Sequence, residues 1–89
     1  MFYSVYFAKS LKNGKIYTGF TSKDPEIRVQ EHNSGSNSWS KQNKPLKLVY
    51  YEKYNCEQDA RDREKFYKTG IGKAIKNLIV NNIDIIMGP

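Results

Sequence analysis

The sequence predicts an α+β domain, a small three-stranded antiparallel sheet flanked by helices in the order ββαβαα. Three observations predict it. Two runs of aromatic and β-branched residues, 2–9 and 15–21, flank Asn13-Gly14, the strongest short-range hairpin signal. Helix starts and stops follow, from Asp24-Pro25 to Gly35 and again from Asn55 to Gly70. Between those helices, "LKLVYYEK" at 46–53 has the composition of a third strand.

The hairpin fixes which side chains share a face. With a loop of two or four residues, even positions of the first strand lie beside odd positions of the second. Tyr3, Val5, Phe7, Ile16 and Phe20 then form one bulky apolar face, the expected core. Ser4, Tyr6, Ala8, Tyr17, Gly19 and Thr21 form the other, expected to be small and open except for its two phenols.

Asp24 is a good N-cap and Pro25 suits the first helical turn, while Gly35 supplies the stop. Within this helix Arg28 and His32 are four apart and therefore neighbours on one side. Residues 36–45 read as a polar loop carrying Trp39, Lys41 and Lys44. Asn55 with Gln58 resembles a capping box for a helix that runs to about Thr69 and stops at Gly70. Cys56, Ala60 and Tyr67 mark its inner stripe. A last helix is expected over 73–80, with Ile75, Leu78 and Ile79 as its apolar stripe, and the tail 81–89 is ambiguous, an extended segment packing back being one reading.

Length and charge narrow the function. Eighty-nine residues suit a single domain spanning 1–89, with one modest core and a site on an open surface or shallow groove. Fifteen Lys/Arg against nine Asp/Glu give a net charge of +6, which favours a polyanionic partner, nucleic acid before an anionic membrane. The single Cys56 forms no internal disulfide and no zinc-ligand pattern, which suits a reducing compartment. The N-terminus lacks the features of a signal peptide, and no apolar run approaches membrane-spanning length, so a cytoplasmic protein is expected. "GIGK" at 70–73 is too short for a phosphate loop and has Ala74 where Ser or Thr is required. No protein partner is inferable.

Several residues can carry chemistry, each with a plainer alternative. Glu64 falls on the inner stripe of its helix, where a carboxylate needs an ion partner or a metal; the alternative is a surface pair with Lys68. Tyr6 and Tyr17 share a face with Gly19, whose missing side chain permits close approach. Arg28 beside His32 offers a planar fork for a phosphate, or else a solvated helix face. Trp39 in a basic loop could stack on a base or cap the core.

Taken in order, these segments resemble a known family. "SVY" at 4–6 and "YTG" at 17–19 are similar to the two motifs that name the GIY-YIG nucleases, and "DPEIRVQEHNSG" resembles the helix that follows them. "KPLKLVYYEKY" resembles the third strand of the small stand-alone members, and "ARDREKFYKTGIGKAIKNLI" the helix bearing the metal-binding glutamate and the segment beyond. The resemblance runs over roughly residues 3 to 80. It implies a metal-dependent endonuclease acting on DNA, with Tyr6 and Tyr17 as motif tyrosines, Arg28 on phosphate, His32 beside it and Glu64 as ligand to Mg²⁺ or Mn²⁺. Tyr6 is the preferred acceptor of the water proton. Gly19, Arg28, Trp39, Lys41 and Lys44 are the expected nucleic-acid contacts. A non-catalytic nucleic-acid-binding module on the same fold is the alternative. The chain departs from the pattern at Ser4, Thr18, Ile27 and Phe20, the last two standing where relatives carry cations. A bare domain of this size implies low sequence specificity.

Overall fold

The computed structural model describes residues 2–35 and 37–83. It has the expected sheet: β1 (Tyr3–Ser10), β2 (Ile16–Thr21) and β3 (Leu46–Tyr54), all antiparallel in the order β2-β1-β3. The helices are α1 (Pro25–Asn33), α2 (Ser38–Asn43), α3 (Glu57–Tyr67) and α4 (Gly70–Asn81). The tail beyond residue 83, with the extended return as one reading of it, lies outside the described residues.

The hairpin register is the odd-sum one. Ser4 pairs with Thr21, Tyr6 with Gly19 and Ala8 with Tyr17. The turn is closed by Ser10 N–H donating to the Lys15 carbonyl at 2.8 Å, and Gly14 takes the positive φ of 78° that the turn requires. The helix α1 is capped as expected: the Asp24 carboxylate accepts from Glu26 N–H at 2.8 Å. It ends through Gly35, at φ 82°, whose N–H donates to the His32 carbonyl at 2.8 Å.

Four expectations are corrected. Residues 38–43 form a helix rather than polar loop, because the Asn37 side chain accepts from Ser40 N–H at 2.8 Å and so caps a helical turn. The Asn55–Gln58 capping box is absent: Cys56 is the N-cap, makes no side-chain cap bond and is exposed, while Gln58 donates to Asp62. Gly70 does not stop a helix but opens α4. Thr69 caps it, accepting from Gly72 N–H at 3.1 Å, and so the last helix begins earlier than residue 73. Gly72 is required by packing, since a Cβ there would lie 1.7 Å from the Phe66 carbonyl oxygen.

The fourth correction bears most on the site. The second face of the hairpin is not open. On one side of the sheet Val5 and Phe7 pack with Ala60 and Tyr67, flanked by Phe20, Ile75 and Ile79. On the other, Tyr6 and Ala8 pack with Val29 and Leu46, flanked by Tyr17, Trp39 and Leu48. The helices α1 and α2 cover this second side, so β1 is buried on both faces from Ser4 to Ala8.

A β-bulge in β3 sorts its side chains between the two sides. Leu48 pairs with Ala8, but Tyr50 pairs with Phe7, so the extra residue reverses the alternation. Tyr50, Glu52 and Tyr54 therefore turn toward α3. Glu52 accepts from Tyr50 Oη at 2.8 Å, Tyr54 Oη at 2.6 Å and Arg63 Nε at 3.1 Å, and also from the Tyr67 hydroxyl. Burial pushes this carboxyl up, but the bonds from Tyr54, Tyr67, Tyr50 and Arg63 outweigh burial and hold it below the usual carboxylate range. A depressed carboxylate stabilises the fold fully above its unfolded value, about 4.3, and that contribution disappears as pH falls through the folded value. The thermal midpoint should therefore fall on acidification below about pH 4.5. Glu52→Gln should lower stability at pH 7 by on the order of 2 kcal/mol and flatten that acid slope. Melting curves of both proteins between pH 3 and 7 test this; parallel curves would refute it.

Candidate active site

On the covered second face, β1 and β2 set Tyr6 and Tyr17 beside each other, with ring centroids 6.2 Å apart. Gly19, opposite Tyr6 in the register, makes the arrangement possible. A Cβ there would stand 2.5 Å from Cζ and Oη of Tyr6 and 2.8 Å from Cε2 of Tyr17. From α1, His32 enters between the phenols, its ring 4.7 Å from that of Tyr17 and its Nε2 2.7 Å from Tyr6 Oη. Trp39 from α2 closes the row, 5.3 Å from Tyr17.

His32 is fully buried, so it does not share a solvated helix face with Arg28. Its second nitrogen, Nδ1, lies 2.5 Å from Ser40 Oγ, with Asn37 Nδ2 at 3.4 Å, too long to compete. The tautomer follows from the phenol. Tyr6 is 1% exposed, and His32 Nε2 is its one hydrogen-bond partner among the described residues. A buried hydroxyl proton needs an acceptor. The Tyr6 O–H therefore donates to Nε2, and Nδ1–H donates to Ser40. Burial, then the Arg28 guanidinium, lowers His32 from its ordinary value, so the imidazole is neutral at pH 7. Burial, then Tyr17, pushes the Tyr6 phenol well above its ordinary range, against the pull of Arg28.

Around this enclosed chain stands an accessible rim. The Arg28 side chain is 27% exposed, with Nη1 3.0 Å from Glu31 Oε1; Glu31 also meets Lys23 Nζ at 2.5 Å. The Glu64 side chain on α3 is 22% exposed and lies 3.2 Å from Lys68 Nζ, so the plain surface pair is present. Such an exposed pair is worth only a few tenths of a kcal/mol and yields readily to a stronger partner. The Tyr17 hydroxyl makes no hydrogen bond among the described residues, and its ring is partly exposed. The Tyr6 phenol is acted on by the charges of Tyr17, Arg28, Glu64 and Glu31.

The structure thus brings Tyr6, Tyr17, Gly19 and His32 into contact, with Arg28 on α1 beside His32 and Glu64 on α3 paired to Lys68. Trp39 spends its ring on Tyr17 and the core, which favours its capping reading over base stacking. Lys41 and Lys44 are exposed on the α2 side. Sequence reasoning missed Ser40 and Asn37, which hold His32 and cap α2. It also missed Asn33, whose side chain exchanges two bonds with the Leu46 backbone, at 2.6 and 3.0 Å, and ties α1 to β3. The "HN" pair in "EHNSG" was the available signal for Asn33; nothing local marks Ser40. Lys76 was missed too: from α4 its Nζ reaches within 3.4 Å of Thr18 Oγ1, and burial beside Lys73 and Lys68 lowers its pKa.

No cluster of three or more potential metal ligands exists among the described residues. Of the two carboxylates that act on Tyr6, Glu31 is held by both Lys23 and Arg28, which leaves Glu64 as the donor. A lone hard oxygen donor fits Mg²⁺ or Mn²⁺, which keep most of their water, and does not fit zinc.

Comparison with known proteins shows the family. Residues 2–77 match the model of the GIY-YIG catalytic domain, and the chain belongs to that family. Membership implies a nuclease-type function, with nucleic acid as substrate. A UPF0213 protein of Staphylococcus aureus (strain Mu50) is 39% identical over 66 residues, covering 73% of this chain and 78% of that protein. A UPF0213 protein of Staphylococcus saprophyticus is 39% identical over 59 residues, covering 65% and 71% respectively. No solved structure matches the chain significantly. Among the described residues no helix is long and apolar enough to cross a membrane.

Gly19→Ala tests the construction of the site. Both phenols would have to move, and Tyr6 is held by His32. The substitution should cost about 1–3 kcal/mol, read as a lower thermal midpoint. An unchanged midpoint would show that the tyrosines are not fixed by this approach.

Proposed function

We propose that the protein is a metal-dependent endonuclease that hydrolyses phosphodiester bonds in DNA with low sequence specificity. The observation that carries this reading is the cluster of Tyr6, Tyr17 and His32 built over Gly19, with Arg28 on the same helix as His32. Glu64 would hold the divalent cation, which when bound supplies Lewis-acid stabilisation of charge on the phosphate.

The chain's own residues divide the remaining work. Arg28 presents a planar fork to a phosphate oxygen and stabilises the charge that develops on it. The sequence favoured Tyr6 as acceptor of the water proton. Its burial and its bond to His32 transfer that place to Tyr17, which is partly exposed and whose hydroxyl makes no hydrogen bond among the described residues. Tyr6, His32 and Ser40 form a fixed backing that holds the Tyr17 ring against displacement. Gly19 keeps the floor of the site low. The cations Lys41 and Lys44 extend the positive surface along α2, and Trp39 contributes by holding that helix in place.

A second reading, binding without cleavage, draws on the enclosure of Tyr6 and the raised pKa of its phenol. It predicts DNA binding with no metal-dependent nicking.

Nicking of supercoiled plasmid by the purified protein, with Mg²⁺, Mn²⁺ or chelator, separates the two. Glu64→Gln should abolish metal-dependent cleavage, leave DNA binding equal or tighter, and change stability by no more than a few tenths of a kcal/mol. Full nicking by that variant would remove Glu64 from the site. Arg28→Lys keeps the charge and loses the fork. Turnover should fall on the order of 10²-fold with the thermal midpoint unchanged. Tyr17→Phe should likewise abolish turnover without loss of stability, whereas Tyr6→Phe strands His32 Nε2 and should cost about 1–3 kcal/mol. Wild-type turnover in Tyr17→Phe would reject the Tyr17 phenol as the group that serves the water.

A further inference from the structure

The face that carries Tyr6 continues onto β3. There the bulge sets Tyr51 directly across from Tyr6, and Lys53 across from Ser4. This end of the sheet is uncovered, with Tyr51 38% and Phe2 54% exposed. Lys53 Nζ stands between the two rings, 5.4 Å from the centroid of Phe2 and 5.8 Å from that of Tyr51. Beside them opens a cavity of about 360 Å³ lined in part by Phe2, Ser4, Lys23, Pro25 and Lys53.

The charges around this cavity are unequal in availability. Lys23 is tied to Glu31 at 2.5 Å, and the Asp24 carboxylate is taken up as the cap of α1. Lys53 has no carboxylate partner among the described residues and rests on ring faces alone. Two exposed aromatic rings with an ammonium between them suit few partners. An apolar protein surface would have to bury the ammonium without compensation. A duplex keeps its base faces stacked on one another and offers only phosphates. A ligand with an open π-face and an adjoining negative charge satisfies both the rings and the lysine, and an unstacked nucleotide is such a ligand.

We infer that this end of the sheet is a docking platform for an unpaired strand of nucleic acid, one base stacking on Tyr51 or Phe2 and a neighbouring phosphate meeting Lys53. The inference builds on the nucleic-acid reading of the adjacent site. Lys23, which lines the cavity, is joined through Glu31 to Arg28, so a chain on the platform borders the rim at Arg28. The nuclease thereby prefers substrates in which an unpaired segment borders the bond to be cut.

Fluorescence anisotropy with a labelled thymidylate oligomer and with the same strand in duplex, in chelator, tests the platform. The wild type should bind the single strand more tightly than the duplex. Tyr51→Leu and Phe2→Leu should each weaken single-strand binding roughly fivefold or more and change duplex binding less than twofold, while Tyr51→Trp retains single-strand affinity. Thermal melts of the same preparations confirm that the variants are folded. Equal affinity of the wild type for both forms, or Leu variants that bind the single strand unchanged, would overturn the platform. Plasmid nicking by those preparations reports separately on the nuclease: nicking retained with no single-strand preference rejects the platform alone. Absence of binding to either form rejects both.

Discussion

Everything in this small protein depends on one constraint: its central strand is buried on both faces. In a chain of 89 residues a sheet with helices on one side would suffice for a core. Here α1 and α2 cover the second side as well, and β1 has no solvent to satisfy its polar groups. Each must find a partner inside. Ser10 Oγ donates to the Asn43 carbonyl at 2.6 Å, and Tyr6 donates to His32, which donates to Ser40. These bonds attach α1, α2 and the residues between them to the strand, so the satisfaction of β1 is also what fixes the second layer.

The same constraint separates two kinds of site residue. Tyr6 and His32 are enclosed, mutually bonded and held in one protonation state each, a phenol and a neutral imidazole. Tyr17, Arg28 and Glu64 border the solvent. The enclosed pair is rigid because breaking its bond would leave a buried polar atom unmet; the rim residues border solvent, and their ion pairs with Glu31 and Lys68 are solvent-screened and weak. A hydrolytic site needs both properties, a fixed backing against which water and phosphate are aligned and charged groups free to exchange their resting partners for a substrate.

The Glu52 network lies across the sheet from Tyr6 and His32. The Glu52 carboxylate, with three phenols and the Arg63 guanidinium around it, joins β3 to α3 on the side away from Tyr6. The bulge in β3 is what divides the strand in this way. It turns Glu52 inward to α3 and leaves Tyr51 and Lys53 on the side of the candidate site. Trp39, by contrast, is drawn into the packing of Tyr17.

The sequence by itself determined the elements and the hairpin register. Alternation across Asn13-Gly14 placed Tyr6, Tyr17 and Gly19 on one face, and the spacing of Arg28, His32 and Glu64 marked them as candidates. These features are local, decided by period, turn chemistry and caps, and local patterns survive in one dimension. Only the tertiary structure decided that the shared face is covered, that His32 lies behind Tyr6 rather than beside Arg28, and that Ser40 holds it. It alone joined Thr69 to α4 as a cap and reversed the alternation of β3 at the bulge. Each of these depends on which segments distant in the chain meet. A buried hydroxyl or a bulge acquires its role from that meeting, and no pattern within a few residues of it carries the information.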